Sequence, residues 1–276
     1  FIASASCGYA LSLLISGAAL PAGGYRLSFL LTGLGPLLGW AIAGWTLRAT
    51  RVPAACRRKG QRFTREVLAH RPTMLLIGGY VFHNWELLGM WSWTPAFLSA
   101  CLALAGAAHT EAAGSGASMT ALFHGVGLLA SFSMGALSDR VERAAVMLAL
   151  AAVSMCCSFV FGWTVNWPLA WVMGIGVVYA FSSLGDSPIL SAALTETVDG
   201  AYLGAALGLR SLLGFGAAAL APMAFGLILD WTNPAAGGQR LYTHWGWAFS
   251  SLGLGGAGAV WAAGRFGRCR RPDGAG

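Results

Sequence analysis

The chain has 276 residues, of which 57% are hydrophobic and only 10% are charged, whereas an ordinary soluble domain is about 25% charged. The few charged residues gather in short segments between apolar runs, which excludes a water-soluble fold, because such a fold needs polar residues along every element. The net charge of +7 does not indicate a nucleic-acid binder, since the basic residues do not form one face of a soluble module. The composition predicts a membrane protein.

Apolar runs long enough to cross a bilayer follow one another along the whole chain. A hydrocarbon core about 30 Å thick needs roughly 20 apolar residues in a helix. Strands are disfavoured because the runs are long and do not alternate. We expect about eight spans, at Ala3 to Leu20, Leu27 to Leu47, Thr73 to Ala103, Met119 to Leu137, Ala144 to Trp163, Trp167 to Leu194, Ala201 to Leu229 and Trp245 to Gly264. The sequence predicts an all-α, polytopic transmembrane helix bundle.

Basic residues predict the orientation of these spans, because Lys and Arg accumulate in cytoplasmic loops. With a cytoplasmic amino terminus the outer loops hold only Arg26 and Arg240. The inner segments hold Arg48, Arg51, Arg57, Arg58, Lys59, Arg62, Arg65, Arg71, Arg140, Arg143, Arg265, Arg268, Arg270 and Arg271. We therefore expect both ends of the chain in the cytoplasm.

The segment between the fourth and fifth predicted spans carries the most specific motif. It reads Gly135-Ala136-Leu137-Ser138-Asp139-Arg140-Val141-Glu142-Arg143. It resembles the G-x-L-x-D-R-x-G-R loop signature of the major facilitator superfamily, with Glu142 where that family has Gly. The resemblance implies a gating loop that uses Gly135, Asp139, Arg140 and Arg143.

Three weaker matches to the same family extend the resemblance over the whole chain. They are Leu194 to Val198 with Gly204 and Gly208, Ala221-Pro222 with Gly226 and Asp230, and Gly24-Tyr25-Arg26 with Phe29. In order, they imply that the spans are similar to helices five to twelve of the family's twelve. Residues 1–47 would be the last two helices of the amino-terminal half, 48–72 the cytoplasmic central linker, 73–266 the six-helix carboxy-terminal half and 267–276 a cytoplasmic tail.

Three formally charged side chains fall well within the predicted spans: Glu86, Asp186 and Arg210. Such residues are costly in a bilayer and normally face a cavity or a partner. Asp186 and Arg210 reach similar depth if their helices are antiparallel neighbours, so we expect an intramembrane ion pair between them. The pair is either purely structural or breaks and re-forms as helices move. Arg210 also suits an anionic substrate, but the expected pair with Asp186 would neutralise its charge.

The third predicted span contains His83-Asn84-Trp85-Glu86. His83 and Glu86 are three residues apart and share a helix face, and a buried carboxylate beside an imidazole can carry a proton. Asn84 would either line the same pathway or bond a helix carbonyl oxygen, and Trp85 would either contact an organic substrate or be a packing or interface anchor. We expect no metal site, because the other ligands are not evident and the six cysteines are scattered.

The resemblance implies a secondary active transporter that moves a small solute by alternating access, coupled to a proton or another solute. The sequence has no G-x-x-x-x-G-K-S/T loop and no nucleophile and base at useful spacing, so we expect no cofactor and no enzyme activity. The alternative is a non-transporting membrane receptor or an inactive transporter fragment, because the family's first four helices are missing. We expect an integral protein of a bacterial inner (plasma) membrane, with a small-molecule substrate, membrane lipid and protons as partners and no nucleic acid.

Overall fold

The computed structural model describes residues 2–49, 63–234 and 242–270. Within these ranges the chain forms helices and short connections, with no strand, so the predicted all-α fold is confirmed for this part of the chain. The long helices are α1 (Ile2–Ala49), α2 (Arg71–Leu104), α3 (His109–Arg140), α4 (Arg143–Phe161), α5 (Leu169–Thr197), α6 (Gly200–Thr232) and α7 (Gly246–Arg270). A π-helical turn, Thr64–Leu68, precedes α2, and a 3-10 turn, Gly162–Thr164, continues α4.

Six helical stretches are long and apolar enough to cross a membrane, judged by length and composition. They are Ser6–Arg48, Arg71–Leu104, Glu111–Arg140, Arg143–Thr164, Leu169–Thr197 and Gly200–Thr232. α7 is not among them, and its sequence contains many small residues and three arginines near its end. Six such helices are consistent with an integral membrane protein, and the count of eight spans stays a prediction.

α1 joins the first two predicted spans into one helix with a break in its middle. Its apolar stretch Ser6–Arg48 has 43 residues and would be about 65 Å long if straight, about twice the thickness of a hydrocarbon core. The backbone leaves helical geometry at Gly23 and Gly24, where Gly24 has φ 65°. A positive φ is strained for a residue with a Cβ, so glycine at this position allows the break.

The two parts of α1 differ in their packing. Before the break, Gly17 lies against Gly114 and Ser118 of α3, so closely that a Cβ at Gly17 would be 2.9 Å from the Gly114 carbonyl oxygen. Beyond the break, Leu30 is 71% exposed and Trp40 is 79% exposed. The first part of α1 therefore belongs to the bundle, and the second part presents apolar side chains to its surroundings.

α2 is the central helix of a bundle formed by α2 to α7. It packs on α3, α5, α6 and α7, while α4 packs on α5 and α7. The outer helices thus surround α2 in the order α3, α5, α4, α7 and α6. The first and last of these, α3 and α6, make no extensive contact with each other in the described part of the chain. Any polar residue in the middle of α2 must consequently find its partners on these neighbours.

α2 and α6 run parallel and in close contact. The guanidinium of Arg210 lies over the ring of Tyr80, and further along both helices Trp93 stacks on Phe225 with ring centroids 5.1 Å apart. The Trp93 indole also donates a hydrogen bond to the Pro222 carbonyl oxygen. This register places Asn84 of α2 opposite Gly214 of α6.

The two ends of the bundle carry different side chains. The basic end, where α2 and α4 begin and α3 and α7 end, bears Arg71, Arg140, Arg143, Arg265 and Arg268. The opposite, aromatic end exposes Trp163, Trp167, Trp171, Trp231 and Trp247. Tryptophan is enriched where a membrane meets water, so this separation suits a bundle that spans a bilayer.

The predicted linker, residues 48–72, lies largely outside the described residues. Its described part is not a free loop, because Val67 of the π-helical turn is fully buried against the bundle. Phe63 contacts Tyr202 of α6, with 6.5 Å between ring centroids. The segment just before α2 therefore packs on the basic end of the bundle.

Two glycines of α3 provide a test of its contact with α2. A Cβ at the buried Gly116 would lie 2.7 Å from the Pro95 carbonyl oxygen and 2.9 Å from the Ser99 nitrogen, whereas a Cβ at Gly125 would meet nothing within 4 Å. Backbone atoms cannot move aside cheaply, so Gly116→Ala should destabilise the protein by about 1–3 kcal/mol. Gly125→Ala should be neutral or stabilise it by up to about 1 kcal/mol. Thermal unfolding in detergent measures both, and equal effects would contradict the described α2–α3 contact.

Candidate functional site

Three polar clusters lie along the middle of α2. His83, Asn84 and Glu86 are all buried, with 2%, 2% and 3% of their surfaces exposed. They lie 13 to 16 residues into a helix of 34 residues, so they occupy its central third. Each of the three side chains points toward a different neighbouring helix, and each is therefore described with its own partners.

The first cluster joins His83 to α5. Its Nδ1 atom lies 3.1 Å from Oδ1 of Asp186, an ion-pair distance, and its Nε2 atom lies 2.7 Å from the Ser187 hydroxyl. In neutral His83 the Nδ1 hydrogen can face the carboxylate while Nε2 accepts from the hydroxyl, and in the protonated ring both nitrogens donate. The imidazole can thus gain or lose a proton without losing a partner.

Asp186 also borders a small cavity that lies between it and the basic end. The cavity is otherwise lined by apolar side chains of α2, α4, α5 and α7, including Leu75, Met147 and Phe266, and it is about the size of one water molecule. Asp186 is thus the polar side chain in an otherwise apolar lining.

The expected ion pair between Asp186 and Arg210 is not formed. Asp186 pairs with His83, and the Arg210 guanidinium instead donates to the Ser191 hydroxyl at 2.9 Å. The depth argument could not fix the direction of the two side chains around their helix axes. Arg210 does reach α5, but at Ser191, which is five residues beyond Asp186.

The second cluster joins Glu86 to α4 and α5. Its Oε1 atom accepts hydrogen bonds from the hydroxyls of Ser154, at 2.7 Å, and Ser158. Ser158 also bonds the hydroxyl of Tyr179, which is fully buried. A Cβ at Gly256 of α7 would lie 2.9 Å from Oε2 of Glu86, so glycine there leaves room for the carboxyl group.

Sequence reasoning did not single out Ser154, Ser158 or Tyr179. The two serines are four residues apart and share one face of α4, which is a signal, but a weak one. Serines in apolar helices usually bond their own backbone, and Ser131 and Ser182 do so here. Only the packing of α4 on α2 and α5 distinguishes the pair that meets the carboxyl group.

The third cluster joins α2 to α6 and α5, and contains Tyr80 and Asn84 of α2, Ser191 of α5 and Arg210 of α6. The Cζ atom of Arg210 lies 4.0 Å from the centre of the Tyr80 ring, a cation–π contact. Arg210 Nε and Asn84 Nδ2 are both buried and have no hydrogen-bond partner. Buried donors without partners are rare in folded proteins, so this arrangement needs an explanation.

Trp85 lies apart from the three clusters. Its indole nitrogen donates to the Ser251 carbonyl oxygen of α7 at 3.1 Å, and its ring packs against Gly255. This contact fixes α2 to α7. The structure thus places Trp85 as a packing anchor, the second of the two roles that its sequence position allowed.

The signature loop joins three helices at the basic end. Arg143, at the start of α4, makes a two-pronged contact with Glu196 at the end of α5, at 3.0 Å from Nε and 2.7 Å from Nη2. It also bonds the Ser138 hydroxyl and lies 2.7 Å from the Asp139 carboxylate of α3. We call this group, Ser138, Asp139, Arg143 and Glu196, the arginine clamp.

The other two residues of the predicted gating loop lie outside the clamp. Arg140 is exposed, and a Cβ at Gly135 would meet nothing within 4 Å. Gly135 therefore does not mark a close approach of another helix among the described residues. Glu196, which the sequence did not link to this loop, takes its place as the contact with a third helix.

Comparison of the sequence with protein-family models and with curated proteins gives no match. The fold and the three polar clusters themselves define the class of protein. The chain is an all-helical bundle, consistent with an integral membrane protein, that buries ionisable side chains at its centre. Function has to be argued from those side chains.

The arginine clamp is testable by a double-mutant cycle. Arg143→Gln and Glu196→Gln each remove one partner of a bidentate contact that is partly shielded, so the coupling free energy should be about 1 kcal/mol and should fall at high salt. The measurement is unfolding in detergent at low and high salt. Arg140→Gln paired with Glu196→Gln is the control and should be additive. Additivity of the Arg143 cycle would contradict the clamp.

Proposed function

We propose that this chain is a secondary active transporter of the major facilitator type that moves a small solute by alternating access and is coupled to protons. The loop at residues 135–143 supports the family, because it resembles the family's signature. The all-helical bundle with long apolar helices supports the architecture. No nucleotide enters the proposal, because rocking of helices around a central site needs only solute and ion gradients.

One observation carries the proton coupling. His83, Glu86 and Asp186 are buried at the centre of the bundle, and each is held by polar side chains of another helix. Ionisable groups at such depth are costly in a membrane and mark ion or substrate pathways. A cluster with no function would be replaced at lower cost by apolar side chains of the same size.

Protonation of Glu86 changes how α2 is held to α4. As a carboxylate, Glu86 accepts from both Ser154 and Ser158, because an ionised carboxyl group offers only acceptor sites. As an acid it carries a donor of its own, and its hydrogen bonds to neutral hydroxyls are weaker than those of the charged form. Proton uptake thus weakens the link between α2 and α4, so the two protonation states of Glu86 hold these helices differently.

The arginine clamp is the proposed gate at the basic end. It ties the ends of α3 and α5 to the start of α4 through exposed carboxylates, whose individual contributions are small and reversible. A gate must open without a large cost, and contacts of this strength meet that need. We further propose that the basic end faces the cytoplasm of a bacterial cell, so that both chain ends lie inside.

Glu86→Gln tests the proton role. In proteoliposomes with a trapped pH-sensitive dye, the unchanged protein should take up protons together with a transported member of a library of small solutes. Glutamine keeps the shape and can still accept from the serines but cannot be protonated in this pH range. We expect the variant to lose proton uptake while still binding solute.

Glu111→Gln is the matched control, because Glu111 is exposed near the start of α3 at the aromatic end. It should leave both solute and proton uptake unchanged. Full pH-dependent uptake by Glu86→Gln would remove Glu86 from the proton pathway. Absence of any solute-linked proton uptake by the unchanged protein would contradict the proposed function as a whole.

A further inference from the structure

Arg210 carries a half-buried positive charge. No carboxylate of the described residues lies within 4 Å of its guanidinium, and Asp186 is paired with His83 instead. Its contacts are the Ser191 hydroxyl and the face of the Tyr80 ring, both of them formally neutral. Arg210 is the eleventh residue of α6, about 15 Å from the helix start, so its charge lies deep in the bundle.

Two hydrogen-bond donors without partners adjoin this charge. They are Nε of Arg210 and Nδ2 of Asn84, and the Asn84 side chain is 98% buried, being only 2% exposed. A Cβ at Gly214 would lie 2.6 Å from Asn84 Nδ2 and 2.6 Å from Cε1 of Tyr80. The glycine therefore lets the amide and the ring pack directly against the backbone of α6. Both free groups are donors, so only an acceptor can satisfy them.

The cluster is also reachable. Tyr80, Ser191 and Arg210 are each half-buried and not enclosed, in a bundle whose outer helices α3 and α6 do not close against each other in the described part of the chain. The partly exposed guanidinium, hydroxyl and ring are the groups open to an entering solute, and the Asn84 amide is buried beside the ring. The site thus has one positive charge, unsatisfied donors and an aromatic surface.

We propose that Arg210 and Asn84 bind the anionic group of the transported solute, and that this solute is a small monocarboxylate. The inference rests on the proposed transport function and names its substrate class. A single negative charge neutralises Arg210, whereas a dianion such as phosphate would leave an excess charge in an apolar bundle. A carboxylate also has the planar, two-oxygen geometry that matches the donor fork of a guanidinium.

Ligand-induced stabilisation tests the site without transport. Thermal unfolding of the purified protein in detergent is measured with benzoate or butyrate, with the neutral isosteres benzamide or butyramide, and with inorganic phosphate. The carboxylates should raise the melting temperature, and the amides and phosphate should not. Arg210→Gln should abolish the effect, and Asn84→Leu should weaken the apparent affinity about tenfold to a hundredfold, because a hydrogen bond to a charged group is lost.

Two glycines of α6 supply a matched pair of variants. Gly214→Ala would push aside Asn84 and Tyr80 and should weaken carboxylate binding, while Gly216→Ala, where a Cβ would meet nothing within 4 Å, should not. Melting temperatures without ligand show whether each variant folds. Equal stabilisation by benzoate and benzamide, no stabilisation by either carboxylate, or full benzoate binding by Arg210→Gln would each overturn the proposed site.

The same variants separate this inference from the proposed function. Carboxylate binding that depends on Arg210, with no uptake of any solute in proteoliposomes, would uphold the site and contradict transport. Proton-linked uptake of a neutral solute that is unaffected by Arg210→Gln would uphold transport and overturn the anion site.

Discussion

Burial of ionisable side chains in the middle of α2 is the constraint on which the rest of the structure depends. A charged group deep in an apolar bundle is tolerated only with polar partners, and α2 cannot supply them from its own backbone. His83 finds them on α5, Glu86 on α4 and Asn84 faces α6. These requirements hold α2 at the centre and fix which face each neighbouring helix turns toward it.

The three clusters also separate the charges of the bundle. The acids, Glu86 and Asp186, lie on the side of α4 and α5 with the imidazole, while Arg210 lies on α6 with no acid beside it among the described residues. Under the two proposals, proton transfer and anion binding use adjacent but different surfaces of α2. A movement of α2 against either side would change both, which gives a physical basis for coupling them.

The sequence predicted the helices well where apolar length alone decides them. α2 begins at Arg71, two residues before the predicted Thr73, because Pro72 suits the first turn of a helix. α3 was predicted too short, since its first turns, from His109 to Ser118, are polar and small and gave no apolar signal. The single helix α1 was predicted as two, and its break at Gly23 and Gly24 is the feature that the apolar runs had indicated.

Partners across helices were predicted less well, for a physical reason. Apolar runs fix the depth of a residue in a bundle but not its direction, because a lipid-facing and a buried face are equally apolar. Asp186 therefore pairs with His83 and not with the predicted Arg210. The serines that bond Glu86 could not be distinguished in the sequence from serines that bond their own helix backbone. The loop motif contains both partners of one clamp contact, because Arg143 and Asp139 both lie within it.

The most direct measurement of the central claim is an infrared pH titration of the protein in lipid, which follows the carbonyl band of protonated carboxylic acids. The account predicts a band from Glu86 that appears as the pH falls. In the double variant with Ser154→Ala and Ser158→Ala, that band should shift in frequency, because Glu86 has lost its two hydroxyl partners. A titrating carboxyl band that is unchanged by the two serine substitutions, or no such band at all, would contradict a proton held at the centre of this bundle.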